Sequence, residues 1–150
     1  MPKLANQESR GFTHAFKVSA ADLNTSGYLT STQKIVATIP AGGIVTGCAL
    51  VNNTAFAGTS TDVTFAVGTL SGTATEFLAA TDVDSSSFKA AFNTGTVLVN
   101  SAAGYSINNS ASAVPVYLKV GGTISAAGVA AGDWLVLLTI LDPALIASNA

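Results

Sequence analysis

The larger apolar residues recur at alternate positions along most of the chain, which is the spacing of strands that turn one face to a core. Phe12, His14, Phe16 and Val18 alternate with Thr13, Ala15, Lys17 and Ser19, and this predicts a first strand with its larger side chains on one face. Residues 32–39 carry Ile35 and Val36 and run into Pro40-Ala41-Gly42-Gly43, a turn cluster, after which a β-branched run resumes over 44–51. Asn52-Asn53 and Gly58-Thr59-Ser60 are expected to bound a loop. Beyond it Val63, Phe65 and Val67 alternate with Asp62, Thr64 and Ala66, the pattern of a half-buried strand.

Residues 75–83 have less β character and predict one helical turn or an extended lid. A short strand is expected at 97–99, and another where Val114, Val116, Leu118 and Val120 alternate with Pro115, Tyr117, Lys119 and Gly121. Pro115 has no N–H to give to a ladder, so this strand should lie at a sheet edge or begin there. Small residues over 127–132 predict a turn, and 133–141 closes the fold with a strand apolar on both parities, expected to be covered on both faces. Short strands separated by Gly, Ser and Asn define an all-β fold. The expected architecture is one antiparallel β-sandwich domain over 12–150, jelly-roll-like, behind a flexible N-terminal arm at 1–11.

Composition changes the picture of the surface. The 150 residues suffice for one core without staples, but only 9% of them are charged, where soluble domains typically carry about 25%. Ser and Thr number 33, Ala 26 and Gly 14, so small, weakly polar side chains should coat much of the outside. Asp62 is the single charge between Ile35 and Thr75, and Lys119 the single charge between Ala90 and Gly132. So few charges cannot keep an isolated domain solvated on all sides, and one broad face is expected to be covered. A symmetric homo-oligomer does this most simply.

The formal charge of -2 and pI near 5.0 exclude the clustered basic surface that nucleic acid requires. Lys3, Arg10 and Lys17 against Glu8 make the arm only mildly basic, suited to an acidic protein groove. No apolar run in the first 11 residues resembles a signal peptide, and the longest, 134–141, is far too short to span a bilayer. The expectation is a soluble product with no membrane and no nucleic-acid partner.

Candidate chemistry is sparse. His14, the one histidine, would have to serve any Ser-His-Asp triad, yet it sits in a strand pattern between Phe12 and Phe16. Cys48 has no second cysteine to pair with and lies among small and apolar neighbours, so an inert buried thiol is expected. Asp82-Val83-Asp84 begins like a calcium loop, but Ser87 stands where the turn glycine belongs and Asn93 where the bidentate glutamate belongs. Gly42-Gly43 and Gly121-Gly122 lack phosphate-loop spacing and read as turn glycines. The Asn-x-Ser/Thr triplets at Asn24, Asn52 and Asn108 are chance products of an Asn-, Ser- and Thr-rich chain. Tyr28, Tyr105, Tyr117 and Trp134 are the aromatics with a polar edge that could stack on sugar, and Trp134 belongs to the closing strand. No catalytic residue, metal or cofactor is expected, and the chain reads as a non-enzyme.

The order of several short motifs resembles small structural proteins of tailed bacteriophages. The motifs are Ile39-Pro40-Ala41-Gly42-Gly43-Ile44-Val45-Thr46-Gly47, Asn53-Thr54-Ala55-Phe56, the 62–68 strand, Phe77-Leu78-Ala79-Ala80-Thr81-Asp82-Val83, and Ala130-Ala131-Gly132 before the final apolar strand. The resemblance spans roughly 35–141 and implies a β-sandwich virion protein, a head decoration or cement protein on the capsid surface, assembled in the host cytoplasm. Its implied partners are the major capsid protein and further copies of itself, as a trimer. A fibre, tail or carbohydrate-binding module engaging a receptor is the alternative. The arm at 1–11 is then expected to order only on the shell or on a neighbour.

Overall fold

The computed structural model describes residues 12–23, 33–58, 61–70, 74–83, 106–123 and 129–147. Among them are the strands β1 (His14–Ser19), β2 (Gln33–Ile39), β3 (Ile44–Gly58), β4 (Thr61–Gly68), β5 (Leu78–Asp82), β6 (Ser106–Ile107), β7 (Val114–Thr123) and β8 (Val129–Leu141). Two short helices, α1 (Ala20–Leu23) and α2 (Pro143–Ala147), follow β1 and β8. The strands form two antiparallel four-stranded sheets, a first in the order β1-β8-β3-β6 and a second in the order β2-β7-β4-β5. Every connection between consecutive strands crosses from one sheet to the other except β4 to β5, which pair directly. This is the jelly-roll sandwich that the strand spacing predicted.

The local chemistry explains the crossings. At Pro40-Ala41-Gly42-Gly43 the Gly43 N–H donates to the Pro40 carbonyl at 2.8 Å, and Gly42 has φ 71°, a left-handed conformation that glycine adopts without a Cβ penalty. The turn lifts the chain from the second sheet into the first. After β1, Ser19 caps α1: its N–H and hydroxyl donate to the Asp22 carboxylate at 2.8 and 2.6 Å, and the Asp22 N–H returns to Ser19 Oγ. That cap drives Leu23 fully into the core. After β8, Asp142 accepts the Ala144 N–H at 3.0 Å and Pro143 occupies the first helical position of α2.

The facing rows of the two sheets form one buried cluster. Val18, Val45, Cys48, Leu50, Trp134, Val136 and Leu138 of the first sheet meet Val36, Val63, Phe65, Val67, Leu78, Val116, Leu118 and Val120 of the second. At its centre Trp134 stacks with Phe56 (centroids 6.4 Å apart, 28°) and meets the Phe65 edge at 6.4 Å. Phe56 and Phe65 also pack edge to face at 5.8 Å, so the three rings bridge the sheets.

Several expectations need correction. Asn52-Asn53 lie within β3, because the 13-residue β8 offers a partner long enough to carry the ladder past them with register shifts between Asn52, Thr54 and Ala57. Residues 78–82 form an edge strand on β4, not a helical turn: Phe77 and Leu78 bury themselves in the core and leave Ala79 and Ala80 outside. β7 is an interior strand and not an edge, but it does begin beside Pro115, at Val114, as the other expected placement had it; β4 reaches only as far as Tyr117, so Pro115 needs a ladder partner on the β2 side alone. Gly121 and Gly122 belong to β7, and β8 already begins at Val129, inside the expected turn. The ring of Phe12 lies 3.5 Å from where a Cβ on Gly47 would sit, on the side of the first sheet opposite to Phe16 and Val18. The strand expected at 97–99, the arm at 1–11, Tyr28 and Tyr105 lie outside the described residues.

Candidate functional site: the outer face of the first sheet

Strand register fixes which side chains share each outer face. On the first sheet Lys17, Leu135 and Val51 form one outward row, and Ala15, Leu137 and Ala49 the next. Thr139 and Gly47 follow under the Phe12 ring, and then Leu141, Ile44 and Ile107. Leu135, Leu137, Val51 and Ile44 are half-buried, whereas Leu141 and Ile107 are exposed at 37% and 42%. Among the described residues, the outer side of β8 is half-buried along Leu135, Leu137 and Thr139 and exposed at Leu141, so the expectation of cover on both faces is met only in part. The face ends in one ion pair, Lys17 Nζ to Asp133 Oδ2 at 2.7 Å. Past its other end α2 carries Leu145, 64% exposed.

The outer face of the second sheet has a different chemistry. Its rows are Gln33, Lys119 and Ala66; Ile35, Tyr117 and Gly68; and Gly121, Thr64 and Asp82. Ile35, 58% exposed, is the large aliphatic side chain among them. Gly68 is required by close approach: a Cβ there would lie 2.7 Å from the Ala74 backbone carbon and 2.8 Å from the Glu76 nitrogen. The loop between β4 and β5 folds back so tightly because the Glu76 carboxylate accepts the Thr69 and Leu70 N–H groups at 3.1 and 2.8 Å.

The Ile107 end of the apolar face is held rigidly. Asn108 is the buried polar side chain among the described residues, and its amide nitrogen donates to the carbonyls of Ile39, Pro40 and Ser112 at 3.2, 2.9 and 3.0 Å. Its Oδ1 accepts the Ser110 N–H at 3.0 Å, and its main chain exchanges bonds with Gly42 and Gly43. One side chain thus ties the end of β2, the 40–43 turn and the loop after β6. The Asn108 amide is committed to this network, so the Asn-x-Ser triplet that begins there is a structural element. An Asn followed by Ser110 at an Asx-turn spacing was the available signal.

The other candidates stay dispersed. His14 sits on the inner side of edge strand β1, 2.8 Å from Thr13 Oγ1, and burial lowers its pKa. The Cys48 thiol, buried in the core, is pushed up to about 12 by desolvation and stays protonated and unreactive at neutral pH. Asp82 ends β5 on the outer side, and the rest of the calcium-like stretch lies outside the described residues. Among the described residues no cluster of His, Cys, Asp and Glu could hold a metal ion, and no helix is long and apolar enough to cross a membrane. What the residues assemble is a surface: a flat apolar sheet face on a jelly-roll frame.

No protein-family model and no curated protein matches the chain. Among solved structures it is similar to a chain of the "Cyanophage Pam1 capsid asymmetric unit", with a TM-score of 0.50 and 22% identity over 92% of this chain and 91% of that one. At this identity the likeness is one of fold, and it extends across nearly the whole of both chains.

Proposed function

We propose that this chain is a non-catalytic structural protein of a phage virion, a decoration or cement protein that binds the head where capsid subunits meet. The observation that carries the reading is the fold likeness to a chain of a phage capsid asymmetric unit over 92% of the length. The motif order across 35–141 supports it independently, because it resembles small virion proteins on grounds of sequence alone. The low charge supports it too, since a surface of Ser, Thr, Ala and Leu is cheaply desolvated against a shell. The major capsid protein and further copies of this chain are the partners, with a trimer the count that the resemblance implies and the capsid surface the location. Nucleic acid and membrane have no part in this reading.

The test is stoichiometry and stabilisation. Quantitative mass spectrometry of purified virions is expected to find the protein at copy numbers on the scale of the major capsid protein. Heads lacking it are expected to rupture at lower temperature and to regain stability when it is added back. A copy number on the scale of a tail fibre, with no effect on head stability, would overturn the reading in favour of a receptor-binding module.

A further inference from the structure

The outer face of the first sheet is unlike any other described surface of the molecule. Its strands β1, β3 and β8 turn Leu135, Leu137, Leu141, Val51, Ile44 and Ala15 outward, half-buried or exposed, over a buried Ala49. We propose that this face is where one copy of the chain packs against a second copy. The inference rests on the self-association in the reading above but not on its count, because one face used by both copies closes as a dimer.

Three observations favour a second copy as the occupant. The chain's own arm is a poor cover: among residues 1–11 only Met1 and Leu4 are large and apolar, against Lys3, Asn6, Gln7, Glu8 and Arg10. The face is also electrically neutral, because Lys17 and Asp133 close their charges on each other at 2.7 Å. A charged partner surface would gain nothing from it, whereas an identical copy brings no unbalanced charge. Finally, the size is adequate. Seven residues of β8 flanked by two strands make a flat patch of roughly 350 Å² at ordinary strand rise and spacing. With Ile107, Leu145 and the rim, two copies bury on the order of 1,000 Å², the lower bound for a specific contact. Two such sheets can pack face to face at the usual separation of about 10 Å, repeating outside the chain the geometry of its own core. An interface of this size forms reversibly, so the assembly state depends on concentration.

Sedimentation velocity of the full chain across a wide concentration range tests this. Wild-type protein is expected to shift from monomer to a larger species. Leu137→Asp and Leu141→Asp should weaken that association by about a hundredfold or more, since each would bury a carboxylate without a partner. Ile35→Asp, on the outer face of the second sheet, should leave it within about twofold. Leu141 is already exposed, so its variant folds even if Leu137→Asp does not, and circular dichroism checks both. A wild-type chain that stays monomeric throughout would overturn the proposal, as would face variants that associate as tightly as wild type. Binding of the same variants to heads that lack the protein separates the two readings. Face variants that still self-associate but no longer bind heads would assign the face to the shell, overturning the inference and leaving the virion role intact. Wild-type protein that self-associates through the face but never binds heads would sink the virion role and leave the inference standing.

Discussion

β7 and β8 each run through the interior of a sheet, and each buries every second residue in the same core, yet their outward residues are opposites. β7 turns out Pro115, Tyr117, Lys119 and Gly121, whereas β8 turns out Leu135, Leu137, Thr139 and Leu141. Inside the sandwich the two strands are interchangeable in kind: Val116, Leu118 and Val120 face Trp134, Val136 and Leu138. The inner parity is dictated by folding, so it must be apolar in both. Only the outer parity is free to differ, and an outer row of leucines adds little to the stability of the isolated chain. The difference between the two outer rows is therefore what the proposed self-association would draw on.

The strongest challenge to this comparison is in the core, where the sheets should be equivalent. Trp134→Ala in the first sheet and Phe65→Ala in the second are each expected to cost about 3–5 kcal/mol in denaturant unfolding, since both open the same three-ring cluster. A large cost in one and a small cost in the other would mean that the sheets do not share a single core. Asn108→Ala comes next, at about 3 kcal/mol, because it removes the amide donor to the Ile39, Pro40 and Ser112 carbonyls, of which the Ile39 contact is buried. Its loss should loosen the Ile107 end of the apolar face while leaving the Lys17 and Asp133 end unchanged, which hydrogen exchange at Ile44 and Lys17 would read.

A subtler test uses Cys48 on the inner side of the first sheet. Its folded pKa of about 12 lies above the ordinary 9.0, so between those values the unfolded chain releases a proton that the native state keeps. Stability should fall as pH rises through that window, by roughly 1.4 kcal/mol per pH unit. The Cys48→Ala variant should lose this slope. Smaller still is the effect expected outside: Leu137→Thr and Tyr117→Thr should each change the stability of the dilute chain by about 1 kcal/mol, as both positions are half-buried on an outer face and Thr suits a strand. Only the first should alter self-association. His14 gives the smallest signal. Burial lowers its pKa, so the unfolded chain binds a proton that the native state resists, and stability declines as pH falls below 6.5. His14→Gln should flatten that acid limb slightly in a urea titration.

Most of the frame was legible in the residues. Alternation at 14–18, 63–67 and 114–120 placed three strands correctly, because period-two burial leaves the same trace wherever one face is covered. Pro40-Ala41-Gly42-Gly43 announced its turn through the conformational demands of Gly42. The misreadings share a cause. At Asn52-Asn53 and at 78–82 local propensity argued for a loop or a helical turn, and a neighbouring strand with unpaired backbone groups overrode it. The apolar character of 134–141 on both parities was visible, but a strand cannot say whether its second face meets its own chain or another.

The sequence by itself determined an all-β sandwich and a chain poor in charge, since these follow from composition and from periodicity within single strands. Only the tertiary structure decided that the sheets divide as β1-β8-β3-β6 and β2-β7-β4-β5, because pairing depends on residues more than a hundred positions apart, such as His14 and Leu138. It also decided that Ala15, Ala49, Val51, Leu135 and Leu137 share one face. No local pattern contains that fact; it arises when antiparallel register brings three separate strands side by side and aligns their outward parities.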